Sequence, residues 1–319
     1  MQFSPAGYWA IVAAMTESAP ETAALAWASA QLGQPLPAPQ ALTGDAGSRR
    51  YWRLHGQGLL VAYQPGERQT AEHFQMLAKV LRDSGVRVPA IRHYQFPWML
   101  VEDLGATLLS DQSATARLPW YRQAVTMIAA IQQLSAPLPA LTPVFVSRKK
   151  SLFSQWYYQR HLGHDAPPDW LDSLFAELTT HFFEQPQVPA HRDFHARNLL
   201  CHQQQLAVID FQDMQQLPLT YDLASLLRDS YVSLTEAEEE ELLQQAFLQQ
   251  QATTDRQQFV RWLDYTGLLR QLKILGIFCR LHYRDGKPGY MASLAPTLAH
   301  IQRIARRYPS LAPLLSLQP

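Results

Sequence analysis

The residue types best suited to chemistry lie in the segment His191–Asn198, which reads H-R-D-F-H-A-R-N, and in Asp210, which follows a short apolar run. A carboxylate such as Asp193 can accept the proton of a hydroxyl group. The side-chain oxygens of Asn198 and Asp210 are hard ligands of the kind that Mg²⁺ prefers. One base and two magnesium ligands at this spacing suit phosphoryl transfer, which depends on positioning and charge neutralisation more than on covalent help from the protein. The segment therefore predicts phosphoryl transfer to a hydroxyl group, with Asp193 as the catalytic base.

A predicted hairpin would bring the two metal ligands together. Apolar runs at 198–200 and 206–209 flank the polar turn Gln203–Gln205, a pattern typical of two short strands. Paired in this way, the strands place Asn198 and Asp210 at the same end of the hairpin. A shared metal ion requires that proximity.

An inert interpretation of these residues is also possible. Asp193 and Asp210 could be surface acids, and His191 could be a core histidine whose nitrogens bond to the backbone. The joint spacing of Asp193, Asn198 and Asp210 favours the catalytic interpretation, because a lone H-x-D would carry no such pattern.

The region that precedes this segment predicts a small β-rich lobe. A helix around residues 25–32 ends at Gly33, and the first strands should form a hairpin. Helical spacing of apolar residues follows, and a last strand leads into a hinge. In order, the expected elements are strands Arg50–Leu54 and Leu59–Tyr63, a helix over 69–84, and a strand over 96–101 with its hinge at 102–105.

The rest of the chain predicts a larger and mainly helical lobe, apart from the strand-rich segment 189–211. Thr235 and Glu238 form a capping-box pattern at the start of one helix. The expected helices cover 120–134, 151–162, 170–183, 223–232, 235–251, 257–283 and a last one through 301–308. The predicted class is therefore α+β, with an N-terminal domain over 1–104 and a C-terminal domain over 105–319.

The composition limits the kinds of binding partner that we expect. The 319 residues contain 27 Lys and Arg against 27 Asp and Glu, so the overall charge gives no reason to expect nucleic acid or an acidic membrane as a partner. The chain has two cysteines, far apart, and no apolar run long enough to span a bilayer. We expect a cytoplasmic protein, a monomer, that binds a small molecule. The residues before Met15 carry little signal, and translation from Met15 is a hypothesis.

The motifs resemble those of the aminoglycoside phosphotransferase and choline kinase superfamily, which shares the protein-kinase fold. Within it, the chain is most similar to bacterial anomeric kinases of N-acetylmuramate and N-acetylglucosamine, which act in peptidoglycan recycling. The resemblance covers nearly the whole chain. Beside the segment around Asp193, it lies in Asp45–Tyr51, Leu100–Gly105, Trp156–Tyr157, Arg160–Gly163, Asp210–Asp213 and Tyr221–Leu223.

The resemblance implies a bilobal fold, ATP as phosphoryl donor and Mg²⁺ held by Asn198 and Asp210. It also implies that a loop covers the ATP phosphates, that the backbone near the hinge meets adenine, and that Asp222 braces the catalytic loop through its backbone. The nucleotide-binding residues implied are Gly44, Asp45, Gly47, Ser48, Arg49, Arg50, Val101 and Asp103.

Two positions depart from the kinase pattern. The third strand lacks the usual phosphate-binding Lys, and no Lys occurs before Lys79, so arginine must meet phosphate charge in the small lobe. Arg49 and Arg50 directly follow the phosphate loop and can bind phosphate through two nitrogens, although a solvated strand edge is the alternative. His195 stands where protein kinases commonly have Lys. It could take part in catalysis by donating to the phosphate or the sugar, or it could simply fill the loop.

Trp156, Tyr157 and Arg160 lie in a segment that matches the sugar kinases. An aromatic ring could stack on the sugar and Arg160 could pair with the lactyl carboxylate, but aromatic residues at helical spacing also commonly form core. The resulting expectation is a kinase for the anomeric hydroxyl of N-acetylmuramate or N-acetylglucosamine. The alternatives are a kinase for choline, an aminoglycoside or another sugar, and a non-catalytic pseudokinase that serves as a binding module.

Overall fold

The computed structural model describes residues 20–42, 49–250 and 254–319. The start at Met15 and the loop residues Gly44, Asp45, Gly47 and Ser48 lie outside these ranges. The described residues form two compact units, one from 20–42, 49–82 and 87–106, the other from 83–86, 107–250 and 254–319. The boundary between residues 104 and 105 stays a prediction.

The first unit is built on an antiparallel sheet, which has five strands in the described part of the chain. Its order is β1-β2-β3-β5-β4, where the strands are β1 (Gln40–Leu42), β2 (Arg50–Leu54), β3 (Leu59–Tyr63), β4 (Ile91–Gln95) and β5 (Trp98–Glu102). The predicted β2–β3 hairpin is confirmed, with Leu54 opposite Leu59. The sequence analysis missed β1 and β4 because both are edge strands with mostly exposed side chains, which blur the alternation that marks a half-buried strand.

Two helices accompany the sheet, α1 (Pro20–Leu32) and α2 (Arg68–Asp83). Trp98 lies at the centre of an aromatic cluster, with ring centroids 6.2 Å from both Trp27 and Trp52. The predicted helix over 69–84 is confirmed as α2, whose buried face holds apolar residues at helical spacing.

The second unit is mainly helical, as predicted. No helix among the described residues is long and apolar enough to cross a membrane. Its helices are α3 (Leu118–Ile131), α4 (Pro143–Leu152), α5 (Leu171–Phe183), α6 (Tyr221–Leu227), α7 (Glu236–Gln249), α8 (Arg256–Tyr283) and α9 (Leu294–Ala305). Its strands are β6 (Gln187–Ala190), β7 (Leu199–His202), β8 (Gln205–Val208) and β9 (Gln215–Pro218), paired as β6–β9 and β7–β8.

Helix α8 runs through the core of this unit, and one glycine sets its distance from α4. A Cβ atom added at Gly276 would lie 2.3 Å from the carbonyl oxygen of Leu152, so the backbones approach too closely for any side chain. Leu152 is the last residue of α4, and the chain continues as a π-helix over Phe153–His161. The sequence analysis predicted an ordinary helix here because hydrophobic periodicity over so few residues does not separate the two helix types.

The capping box at the start of α7 is confirmed. Thr235 Oγ1 accepts from the backbone N–H of Glu238, and the carboxylate of Glu238 accepts from the N–H of Thr235. The last predicted helix was wrong in its bounds, since α9 begins at Leu294 and a 3₁₀-helix at Pro309–Ser316 follows it.

Candidate active site

The loop that carries Asp193 is held by a buried carboxylate. Asp222, near the start of α6, accepts from the backbone N–H of His191 at 2.6 Å and from that of Arg192 at 3.0 Å. Arg192 has φ +80°, a left-handed conformation that is strained in a non-glycine residue. The expected bracing by Asp222 is thus confirmed, and it holds the loop in a conformation that the chain alone would disfavour.

His191 ties this loop to the segment that ends at Asp210. Its Nε2 lies 2.9 Å from the carbonyl oxygen of Ile209, and its Nδ1 accepts from the backbone N–H of Asp193 at 3.3 Å. Both ring nitrogens therefore have partners when the proton is on Nε2. The histidine is fully buried and structural.

Inside the loop, the backbone of Asp193 organises its neighbours. Its carbonyl oxygen accepts from the N–H of His195 at 3.0 Å and from Nδ2 of Asn198 at 2.9 Å. Asn198 donates its own N–H to the carbonyl of His195 at 2.9 Å. The catalytic candidate and one metal candidate are therefore fixed to each other within one turn.

The predicted hairpin is present as β7–β8, and it does bring Asn198 and Asp210 to one end. Leu199 pairs with Val208, and the N–H of Ile209 donates to the carbonyl of Asn198 at 3.0 Å. Because Asn198 donates through Nδ2 to Asp193, its amide oxygen is the atom left to ligate a cation. Asp210 adds an exposed carboxylate. This donor set of hard oxygens fits Mg²⁺.

A second carboxylate, which the sequence did not reveal, supports the same loop from the segment just after α6. Asp229 Oδ2 accepts from the N–H of Ala196 at 3.0 Å, and its Oδ1 accepts from the N–H of Tyr231 at 2.9 Å. Burial raises the pKa of Asp229 to about 6. No local motif marks this residue, since its partner lies 33 positions earlier in the chain.

Three cations that the sequence did not reveal interact electrostatically with Asp193. Lys149 on α4 and Arg270 and Lys273 on α8 all interact electrostatically with its carboxylate or with each other. Burial raises the pKa of Asp193, but the charges of Lys273 and Arg270 outweigh this effect, so its pKa lies below the ordinary value. Asp193 is therefore ionised at neutral pH, as a general base must be.

His195 packs into the same region. Burial lowers its pKa to about 4, and Arg270 adds to this effect while Asp193 opposes it. The ring is thus neutral at pH 7. Its Nδ1 is buried and has no hydrogen-bond partner among the described residues. The structure leaves both predicted roles of His195 open, although a cationic role at neutral pH is disfavoured.

The predicted substrate residues lie on the π-helix, and the structure separates them. Tyr157 is fully buried, and its hydroxyl donates to the carbonyl of Gln318 at 2.5 Å, so it is a core residue here. Trp156 is partly buried against the same core. Arg160 is exposed, with its guanidinium 5.2 Å from the ring centroid of Tyr283.

The described nucleotide candidates lie in the first unit. Arg49 donates to Gln64 at 2.8 Å and lies over the ring of Phe74, so its guanidinium is engaged within the unit. Arg50, by contrast, is exposed, and its side chain forms no ion pair in the part of the chain that the structure describes.

The adenine-binding candidates Val101 and Asp103 lie at the end of β5. Val101 is buried and pairs with Leu60. Asp103 donates its N–H to the carbonyl of Gly58 at 2.9 Å, and its carboxylate forms an ion pair with Arg53 at 2.6 Å. Both residues are thus held firmly against β3 and its turn.

Comparisons with known proteins agree with this geometry. The profile of the Phosphotransferase enzyme family matches residues 38–260. A Pseudomonas putida protein named N-acetylmuramate/N-acetylglucosamine kinase is 32% identical, over 86% of this chain and 85% of its own. A Neisseria meningitidis serogroup B protein of the same name is 30% identical, over 86% of this chain and 87% of its own.

Solved structures show the same fold at low sequence identity. The choline kinase LicA from Streptococcus pneumoniae aligns with a TM-score of 0.64 and 16% identity, over 93% of this chain and all of that one (100%). A choline/ethanolamine kinase family protein from Mesorhizobium loti aligns with a TM-score of 0.61 and 14% identity, over 87% of this chain and 91% of that one. The predicted protein-kinase-like α+β fold is confirmed.

Proposed function

The chain belongs to the phosphotransferase enzyme family, and from this premise we propose that it transfers the γ-phosphoryl group of ATP to the anomeric hydroxyl of N-acetylmuramate and N-acetylglucosamine. Two relatives with that name, each at least 30% identical over most of both chains, support the substrate. The observation that carries the proposal is the ionised carboxylate of Asp193 on a loop held by Asp222 and Asp229.

The chemistry follows from that carboxylate. The anomeric hydroxyl lies against Asp193, which accepts its proton as the sugar oxygen bonds to the γ-phosphorus. The bond between that phosphorus and the bridging oxygen breaks, and ADP leaves. Since Asp193 is fixed through its own carbonyl to His195 and Asn198, the base and the metal site keep a constant relation.

Magnesium is held by Asn198 and Asp210 in this proposal. When bound, it neutralises charge on the β- and γ-phosphates. The chain contributes the rigid hairpin β7–β8, which keeps the two oxygen ligands adjacent.

Nucleotide binding involves the first unit. We assign phosphate contacts to Gly44, Asp45, Gly47 and Ser48, and to Arg50, whose exposed guanidinium can replace the missing third-strand Lys. Arg49 then orders the strand end through Gln64 and Phe74. We assign the adenine contacts to the backbone at Val101 and Asp103.

Within the second unit, Trp156 and Arg160 stay candidates for contact with the sugar. Action as a monomer in the cytoplasm also belongs to this proposal.

The test is ATP consumption with Mg²⁺ in the presence of N-acetylmuramate, N-acetylglucosamine, other sugars, choline or an aminoglycoside. We expect the two amino sugars to stimulate turnover and to yield the 1-phosphate. Asp193→Asn should lower kcat by about 10²–10⁴-fold, the contribution of a general base, with little change in nucleotide affinity.

Asp169→Asn, at an exposed aspartate of the same unit, is the matched control and should behave as wild type. Stimulation by choline or an aminoglycoside alone would replace the proposed substrate. Nucleotide binding without turnover on any acceptor would favour the pseudokinase alternative.

A further inference from the structure

Lys149, Arg270 and Lys273 form a basic cluster beside the catalytic base. Lys149 comes from the last turns of α4, and the other two residues come from the middle of α8. The close approach of these helices at Gly276 and Leu152 is what brings the three residues together. Lys149 and Arg270 both face the ring of Tyr221, with Nζ 5.8 Å and Cζ 5.6 Å from its centroid.

No carboxylate among the described residues contacts the cluster directly, although Asp193, Asp222 and Asp229 interact with it electrostatically. Arg270 is only 3% exposed, yet its Nε and Nη1 have no hydrogen-bond partner among the described residues. Lys149 is 5% exposed, and its Nζ lies over the ring of Phe145, 3.1 Å from the centroid. In the described ranges, no carboxylate comes within salt-bridge distance of either lysine or of Arg270, and Asp193 interacts with the cluster only from further away.

Without a ligand, this arrangement lowers the stability of the folded protein. Burial lowers the pKa of Lys149 well below its ordinary value and that of Lys273 to about 8, and the neighbouring cations act in the same direction. Buried cations are normally paired, and a cluster of unpaired ones indicates that an anion binds there.

The position of the cluster indicates which anion. A hydroxyl group that donates its proton to Asp193 must lie within about 3 Å of that carboxylate, so side chains around Asp193 also surround the acceptor molecule. In the proposed function, a magnesium ion held at the Asn198–Asp210 end of the hairpin offsets the charge of the phosphates. An acceptor with its own carboxylate would therefore complete the site.

We propose that the basic cluster binds the carboxylate of an acidic acceptor sugar, and so distinguishes N-acetylmuramate from N-acetylglucosamine, which lacks that group. The inference rests on the proposed function, since it concerns the acceptor of the same reaction. It assigns to Lys149, Arg270 and Lys273 the role that the sequence suggested for Arg160. Arg160 is exposed and lies on Tyr283, whereas Lys149 and Arg270 are buried and the cluster interacts electrostatically with the base.

The experiment compares Lys149→Met and Lys273→Met with wild type on both sugars. Loss of one charge-assisted contact to a carboxylate should raise KM for N-acetylmuramate by at least about tenfold more than KM for N-acetylglucosamine. Lys150→Met is the matched control, because Lys150 is the next residue on α4 and pairs with Asp172 at the surface. Its ratio of KM values should equal that of wild type.

A binding measurement keeps the test independent of turnover. N-acetylmuramate should raise the Tm of the wild type more than N-acetylglucosamine does at equal concentration, and both cluster variants should lose that difference. Unfolding curves confirm that each variant is folded. Met at position 149 removes a buried unpaired charge, so the free variant should be no less stable than wild type.

The results distinguish a failure of this inference from a failure of the proposed function. Equal losses on both sugars in the cluster variants would overturn the inference and assign the cations to the phosphoryl group, while the proposed function would stand. A change of the KM ratio in Arg160→Gln, without one in the cluster variants, would also overturn it in favour of Arg160. If neither sugar is phosphorylated by the wild type, the proposed function itself fails.

Discussion

At the scale of single residues, the catalytic loop depends on side-chain carboxylates that satisfy backbone N–H groups. Asp222 accepts from His191 and Arg192, and Asp229 accepts from Ala196. These carboxylates hold the loop in place of the regular backbone pairing that ends at β6. The loop can therefore keep a strained residue at 192 directly before the base.

Replacement of Asp222 by Asn should be costly. Both carboxylate oxygens accept from backbone N–H groups, and Asn would turn an amide NH₂ towards one of them. We expect a loss of about 2 kcal/mol or more in the free energy of unfolding, the typical penalty for an unsatisfied partner of a charged group. Urea unfolding measures it, and kcat should fall with it as Asp193 loses its fixed position.

Asp169→Asn is again the control, since this exposed aspartate has no such partners among the residues that the structure describes. It should change stability by less than about 0.5 kcal/mol. An unchanged unfolding midpoint for Asp222→Asn would contradict the bracing role.

The residues of the site that sequence alone revealed are those with a fixed local spacing. Asp193, Asn198 and Asp210 lie within one short segment, and a motif can capture them. Lys149 and Lys273 are on helices far apart in sequence, and each looks like an ordinary helical lysine. Only tertiary packing brings them to Asp193, so no sequence pattern could have identified the cluster.

At the scale of elements, α8 and the α4–π-helix junction form the frame that carries the basic cluster. The periodicity of apolar residues predicted α8 closely, because a long helix buried along its length repeats its pattern many times. It failed to predict the π-helix and the short α4, whose bounds are set by contact with α8 rather than by local preference. The edge strands β1 and β4 were missed because their mostly exposed side chains blur the alternation of a half-buried strand.

Gly276→Ala tests this frame. The added methyl group would meet the backbone at Leu152 and Phe153, so α8 must move away from α4. Overpacking of this kind costs about 1–3 kcal/mol in the free energy of unfolding. Because the two helices carry Lys149 and Lys273, we also expect KM for N-acetylmuramate to rise.

Gly267→Ala on the same helix is the control. There the new Cβ would lie 3.5 Å from Cδ of Arg228, an ordinary contact, and alanine favours helix. Denaturant unfolding should show this variant to be as stable as wild type or more so. Equal stability of both variants would mean that the close approach at Gly276 is not required.

At the scale of the whole molecule, the equal numbers of acidic and basic residues conceal an uneven distribution of charge in the interior. The overall charge of zero does not reveal that three cations of the second unit interact electrostatically with one carboxylate, Asp193. Another buried arginine, Arg228, has acidic partners at Glu239 and Asp264. Only the three-dimensional structure shows that Arg228 forms ion pairs and that the basic cluster does not.

This uneven charge makes global stability depend on pH in a defined direction. The pKa of Lys273 falls from 10.5 to about 8 on folding, because burial and Arg270 disfavour its charged form, although Asp193 favours it; Lys149 and Arg192 are the other charged groups that face it. Between these two values the unfolded chain keeps a proton that the folded chain has released. Stability of the ligand-free protein should therefore rise with pH from about 8 to 10.5.

Lys273→Met should remove the part of that rise that Lys273 contributes, a change on the order of 1–3 kcal/mol in the free energy of unfolding across the interval. Urea unfolding of both proteins at several pH values measures it, and the difference between them cancels other groups that titrate there. Lys150→Met, at the surface, should keep the wild-type profile. Identical profiles for Lys273→Met and wild type would show that Lys273 is solvated in the folded protein, and would remove the electrostatic strain that the basic cluster implies.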